Sequence, residues 1–170
     1  MKKAKAAVGS LVFLLVAPGV VAGVIPWLLT GWQVRQPLPY WGPLLVLGGA
    51  VLVAGVVVLT HSFIRFALEG IGTPAPVAPT KRLVIGGLYR YVRNPMYLAV
   101  VGTIFGQALL LGQPLLILYG GAIWIIFVIF VRWYEEPTLA QHFGREYEDY
   151  KRAVPPWWPR VRQWKRDPAS

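Results

Sequence analysis

The chain has 170 residues, 56% of them apolar and 14% charged, with a formal net charge of +10 and no cysteine. Such a composition with long apolar runs belongs to membrane proteins, and the missing cysteines exclude disulfides, iron–sulfur clusters and thiolate zinc sites. Two histidines, His61 and His142, are too few for a histidine-built centre, so no metal is expected.

Four apolar stretches follow one another at about 8–30, 42–64, 97–111 and 115–133. A spanning helix needs about 20 apolar residues, which the first, second and fourth supply. The first opens with "MKKAKAAVGSLVFLLVAPGVVAG", the basic start and apolar middle of a signal peptide. Its apolar run continues to Leu29, long enough to span, so a retained anchor helix is expected. Pro18 and Pro26 predict a kink there, which a bilayer tolerates when neighbours satisfy the freed carbonyls.

The outer loop Gly31–Gly42 carries Trp32, Tyr40 and Trp41, suited to an interfacial aromatic belt. In the second stretch Gly48, Gly49, Ala50, Ala54 and Gly55 predict close helix contact, a hint of self-association that does not define an oligomeric state. His61, at its inner end, reads as an interfacial or packing residue. The three prolines of Gly70–Thr80 predict an extended inner loop. Asn94 then reads as the N-cap of a third helix starting at Pro95. That helix is short, about 15 residues, and pairs with the fourth as a hairpin through "LGQPL", Leu111–Leu115, where Gly112 stops one helix and Pro114 starts the next.

Beyond the fourth stretch Pro137 reads as the first turn of a new helix. Leu139, Phe143, Tyr147, Tyr150 and Val154 recur on one face of an amphipathic helix over 138–154, with i,i+4 pairs Arg145–Asp149 and Glu148–Arg152 on the other. "PPWWPR" ends it, its two tryptophans suited to lipid headgroups. The expected fold is an all-α polytopic membrane protein of four transmembrane helices plus a C-terminal amphipathic cytosolic helix.

With four spans, all but one of the 17 lysines and arginines fall on one side, and Arg35 alone on the other. The positive-inside rule then puts both termini in the cytoplasm. The basic charge reflects topology and attraction to anionic lipid, and no nucleic acid partner is expected.

Two polar groups meet on that inner side: "GGLYRYVRNPMY", Gly86–Tyr97, and "RWYEEP", Arg132–Pro137. A carboxylate at the bilayer centre costs about 2.5–3.5 kcal/mol, so Glu135 and Glu136 belong at the inner mouth, facing protein or water. Arg93 and Arg132 are their candidate partners. Topology asks for cations, but not for Tyr-x-Tyr-x-x-Asn-Pro-x-Tyr followed one hairpin later by a glutamate pair.

"LVIGGLYRYVRNPMYL" and "EEPTLAQHFGREYEDYKRAVPPWWPR", in this order from about Leu83 to Arg160, resemble the isoprenylcysteine carboxyl methyltransferase and phospholipid methyltransferase superfamily. The resemblance implies an integral-membrane enzyme that consumes S-adenosylmethionine, releases S-adenosylhomocysteine, uses no metal, and methylates a lipophilic acceptor dissolved in the bilayer. It implies cofactor contacts from Lys81, Arg82, Leu83 and Val84, from Tyr89, from Asn94, Pro95, Met96 and Tyr97, and from Glu135 with Glu136 beside it. Asn94 stands where histidine is more usual; it still donates and accepts hydrogen bonds but is no pH-dependent base. Carboxyl methyltransferases carry a substrate-facing arginine four residues before the first glutamate. Here that position is Val131 and Arg132 lies one step on, so Arg93 and Arg132 are the candidates for orienting the acceptor.

With no internal repeat or second domain in the sequence, one domain over 1–170 is expected, with an N-terminal two-helix part at 1–69 and a cofactor-binding core at 81–160 whose site faces the cytoplasm. A carboxylate or an amine of a lipid or isoprenoid-like molecule fits as acceptor. Two alternatives stand beside this reading. One is an NADPH-dependent reductase related to the sterol reductases, which are much longer and carry a different acidic block. The other is a non-enzymatic membrane partner subunit.

Overall fold

The computed structural model describes residues 16–35, 41–69 and 82–164. Residues 8–15 of the first apolar stretch, Tyr40, the loop Gly70–Thr80 and Lys81 lie outside the described residues. Among those described there is no strand. Five helices are arranged as α1 (Val16–Thr30), α2 (Gly42–Glu69), α3 (Pro95–Leu111), α4 (Pro114–Phe143) and α5 (Arg145–Ala153), with a 3₁₀ turn at Gly87–Arg90. Two of them, α2 over Gly42–Arg65 and α4, are long and apolar enough to cross a bilayer. α1 and α3 are apolar but shorter; the 17 residues of α3 rise only about 26 Å.

Aliphatic side chains on the two long helices point away from the protein: Val46, Val53 and Val57 on α2, Leu118 and Ile125 on α4 are all more than half exposed. Water would penalise such a surface and acyl chains would not.

α2 and α3 pack antiparallel at unusually short range. A Cβ added to Gly48 would lie 2.5 Å from Leu110 N, one on Gly55 2.6 Å from Thr103 Oγ1, and one on Gly106 2.6 Å from Leu52 N. The small-residue face expected on the second helix is therefore used within the chain, by Gly48 and Gly55, while Ala50 and Ala54 remain exposed. Close backbone approach stabilises helix pairs in lipid, where apolar burial offers little.

α1 shows how a proline is held inside an apolar helix. Val20–Val24 is a π turn, and the Ile25 N–H bonds to Val20 O. Val21 O thereby loses its i+4 donor, and its i+5 neighbour is Pro26, which has no N–H. Ala22 O loses its i+4 donor to the same proline. The Tyr119 hydroxyl of α4 donates to Val21 O at 2.8 Å, and Gln107 Nε2 of α3 donates to Ala22 O at 2.6 Å. Trp32 Nε1 donates in turn to Gln107 Oε1 at 3.2 Å. Neighbours satisfy the carbonyls freed by the kink, as buried backbone requires. Ala22, Val100, Ile104, Ala108 and Leu116 close the core where α1, α3 and α4 meet.

The same device recurs in α4. The helix does not restart at Pro137 as the sequence suggests; it continues through a π turn at Val131–Glu135, with the Glu136 N–H bonded to Val131 O. The wider turn absorbs the ring that would otherwise press on the preceding carbonyls. Arg132 and Trp133 are exposed here, and the Thr138 hydroxyl donates to the Tyr134 carbonyl at 2.6 Å. The amphipathic segment over 138–154 is also not one helix. It breaks at Gly144, whose φ of 53° and ψ of −127° suit glycine alone. Its apolar face survives the break: Tyr147, Tyr150 and Val154 are buried against Leu139, Phe143, Leu83 and Ile85.

Candidate active site

The end of the α3–α4 hairpin opposite its Gly112–Gln113 turn gathers the polar residues. Tyr97, in the first turn of α3, donates its hydroxyl to Glu135 Oε2 at 2.7 Å. The next residue, Glu136, turns to a different set. Its Oε1 accepts from Arg93 Nη1 at 2.8 Å, both side chains being 8% exposed, and its Oε2 lies 3.0 Å from Lys151 Nζ. Arg93 Nη1 also donates to the Tyr147 hydroxyl at 3.2 Å. Glu135 closes the π turn and Glu136 follows it, so two successive glutamates serve α3 and the α5 side at once. Arg132 is 3.9 Å from Glu136 but 73% exposed, so that contact contributes little.

The second wall is the segment from Arg82 to Asn94. Arg82 is exposed, Val84 is buried, and Leu83 and Ile85 pack on the Tyr147–Val154 cluster. Tyr89 is buried in the 3₁₀ turn, and its carbonyl accepts from the Tyr150 hydroxyl at 2.7 Å. Asn94 occupies the N-cap position of α3 as expected, yet its side chain makes no capping bond. Its Nδ2 is buried with no partner among the described residues. Buried donors are almost always paired, so this one is free to serve a ligand.

The tail after α5 straps this wall in place. Arg93 N donates to Pro155 O at 3.0 Å, Arg160 N to Tyr91 O at 2.9 Å and Trp164 N to Arg90 O at 3.0 Å. Trp158 is exposed, as a headgroup tryptophan would be, but Trp157 instead packs on Trp124 of α4 at 4.8 Å between ring centres. Burial raises the Tyr147 hydroxyl to about 12, with Arg93 pulling the other way, and burial also raises Tyr150. Both phenols stay protonated near neutrality, Tyr147 accepting from Arg93 and Tyr150 donating to the Tyr89 carbonyl.

Beside Tyr97 lies an apolar cavity of about 280 Å³, walled by Val21, Leu59, Phe63, Met96, Tyr97 and Phe127 among others. Four helices, α1 to α4, contribute to it. Tyr97 and Phe127 are 4.7 Å apart between ring centres and Tyr97 and Phe130 6.5 Å, so aromatic faces line the end nearest Glu135. Tyr97 is thus shared: its hydroxyl belongs to the polar cluster and its ring to the cavity.

Of the residues singled out in the sequence, Tyr97 is bonded to Glu135, and Arg93 and Arg132 both reach Glu136. Asn94, Pro95 and Met96 lead into Tyr97, and Leu83, Val84 and Tyr89 form the adjoining wall. Sequence reasoning did not assign Tyr147 and Lys151 to this cluster. They stand four apart on α5, a spacing that puts them on one face, but only the fold brings that face to Glu136.

A family model described as phospholipid methyltransferase matches residues 43–146, more than half of the chain. The protein-S-isoprenylcysteine O-methyltransferase of Dictyostelium discoideum is 37% identical over 73 residues, which are 42% of this chain and 30% of that protein. The match therefore spans under a third of that relative's length. No solved structure matches the chain.

Proposed function

The chain belongs to the phospholipid methyltransferase family, and we propose that it transfers a methyl group from S-adenosylmethionine to a lipophilic acceptor dissolved in the membrane. The observation that carries this reading is the double use of Tyr97, whose hydroxyl joins Glu135 while its ring walls an apolar cavity between four helices. A water-soluble donor and a membrane-dissolved acceptor need such a junction.

The residues fit the donor. Asn94 Nδ2 offers a buried hydrogen-bond donor with no partner among the described residues, and Glu135 offers a carboxylate held by Tyr97. S-adenosylmethionine supplies an electrophilic methyl group on a sulfonium centre. The faces of Tyr97 and Phe127 suit a cation, and Asn94 and Glu135 fix orientation, which alone supplies much of the acceleration in a displacement. Arg82–Val84 and Tyr89, with Lys81 ahead of them, line the loop side. Glu136 keeps that loop on α4 and α5 through Arg93 and Lys151.

The acceptor's apolar part enters the cavity laterally, and its carboxylate or amine meets the donor at Tyr97. Arg132, exposed at the rim, is the candidate that meets an anionic head, while Arg93 acts chiefly through Glu136. Positive-inside bias puts this mouth at the cytoplasmic face, with 81–160 as the cofactor-binding core of a single domain. Calorimetry of S-adenosylmethionine binding in detergent tests the reading. Binding by the wild type that weakens at least about tenfold in Glu135→Ala and in Tyr97→Ala supports it; a folded, monodisperse wild type that does not bind refutes it.

A further inference from the structure

The turn that carries Tyr89 is held from two sides. On one side the tail and the Tyr150 hydroxyl fix it through the backbone bonds described above. On the other it meets the inner end of α2, where His61 and Arg65 stand one turn apart on the same face. Gly87 opens the turn with φ of +57°. A Cβ on Gly87 would lie 2.8 Å from His61 Nε2, 3.1 Å from Arg65 Nε and 3.3 Å from Arg65 Cγ. An imidazole and a guanidinium therefore rest against bare backbone. The positive φ alone would admit asparagine at some cost; the two side chains remove that option.

Membrane topology accounts for a cation at this depth, but not for an imidazole pressed on a left-handed glycine. The same stretch of α2 sends Leu59 and Phe63 into the wall of the apolar cavity. The inner end of α2 thus touches the cavity through one face and the Gly87 turn through another.

We propose that His61 and Arg65 are positioning residues for the methyl-donor pocket, seating the Gly86–Arg90 turn so that Tyr89 and the following stretch to Asn94 keep the geometry the donor meets. The inference rests on the functional reading above. Neither residue touches the reacting atoms; both act through the turn.

Titration calorimetry of S-adenosylmethionine into the detergent-purified full chain compares wild type, His61→Ala, His61→Gln, Arg65→Met and Gly87→Ala, with the thermal midpoint of each recorded without ligand. Glutamine can place an amide nitrogen near the Nε2 position. His61→Gln is therefore expected to bind within about threefold of wild type, and His61→Ala and Arg65→Met about tenfold more weakly. Gly87→Ala, which pushes into the imidazole, weakens binding at least as much. Thermal midpoints of the His61 variants agree with wild type to within about 2 °C. Wild-type affinity in His61→Ala overturns the inference and leaves the methyltransferase reading standing. A loss in His61→Ala that comes with a large fall in thermal midpoint also overturns it, because the imidazole would then be holding the fold. A wild type that does not bind overturns both.

Discussion

Removing the Glu136 carboxylate tests how the loop wall is held. In Glu136→Ala the Arg93 guanidinium, 8% exposed, loses its partner at 2.8 Å and keeps, among the described residues, its hydrogen bond to the Tyr147 hydroxyl at 3.2 Å. Breaking a buried pair from one side costs about 3–5 kcal/mol, most of it the penalty of an uncompensated buried charge. Lys151, 31% exposed, can turn toward water, so Lys151→Ala should cost about 1 kcal/mol. Arg132, 73% exposed, should cost about 0.5 kcal/mol or less. Replacing both members, Arg93→Met with Glu136→Leu, removes the orphaned charge and should recover most of the loss. The assay is reversible unfolding in mixed micelles by denaturing detergent, followed by tryptophan fluorescence, with the singles Arg93→Met and Glu136→Leu closing the double-mutant cycle. A coupling energy of about 2 kcal/mol or more between Arg93 and Glu136 is expected. Coupling below about 0.5 kcal/mol, or an Arg132→Ala loss equal to that of Arg93→Ala, would refute the assignment of Arg93 as the buried partner.

Other consequences follow from the kinked helix, the helix contact and the buried phenols. Gln107→Leu and Tyr119→Phe each leave a carbonyl of α1 without a donor, and each should destabilise by about 1–2 kcal/mol in the same unfolding assay. Gly55→Val forces a branched side chain to within contact distance of Thr103 and the Ala99 carbonyl; a loss of about 3 kcal/mol or a failure to accumulate in membranes is expected. Tyr147 ionises near pH 10 when unfolded but only at about 12 when folded. The unfolded chain thus releases its proton first. Stability is full below pH 10 and falls as pH rises toward 12, while ultraviolet titration of the folded protein should show Tyr147→Phe removing a late-ionising phenol.

What the sequence discloses is what local composition encodes. Long apolar runs disclose the helices, and Gly112 and Pro114 mark the hairpin because each has a backbone preference of its own. The family resemblance names Tyr97 and Glu135 as contacts of one cofactor, but neither it nor the spacing records the hydrogen bond between them. The π turns carry no such mark: "VVAGV" and "VRWYE" look like ordinary helix, and only the proline two residues beyond hints at them. Gly144 hides inside an unbroken apolar periodicity, because Leu139, Phe143, Tyr147 and Tyr150 keep their face across the break. The tail's grip on Arg90, Tyr91 and Arg93 is made by backbone N–H and C=O groups, which leave no side-chain mark in the sequence. Lys151 and Tyr147 meet Glu136 only after α5 folds back, a long-range event that spacing along the chain does not record.

The most direct test of the central claim is transfer itself. Membranes containing the chain are incubated with S-adenosylmethionine labelled in its methyl group, extracted with organic solvent, and the label is counted in the lipid phase. The account predicts label in the lipid phase for the wild type, and a drop of about a hundredfold for Glu135→Ala, whose loss removes a group that orients the donor. Lipid-phase label that persists undiminished in Glu135→Ala and Tyr97→Ala, or that never rises above membranes lacking the chain, would contradict it.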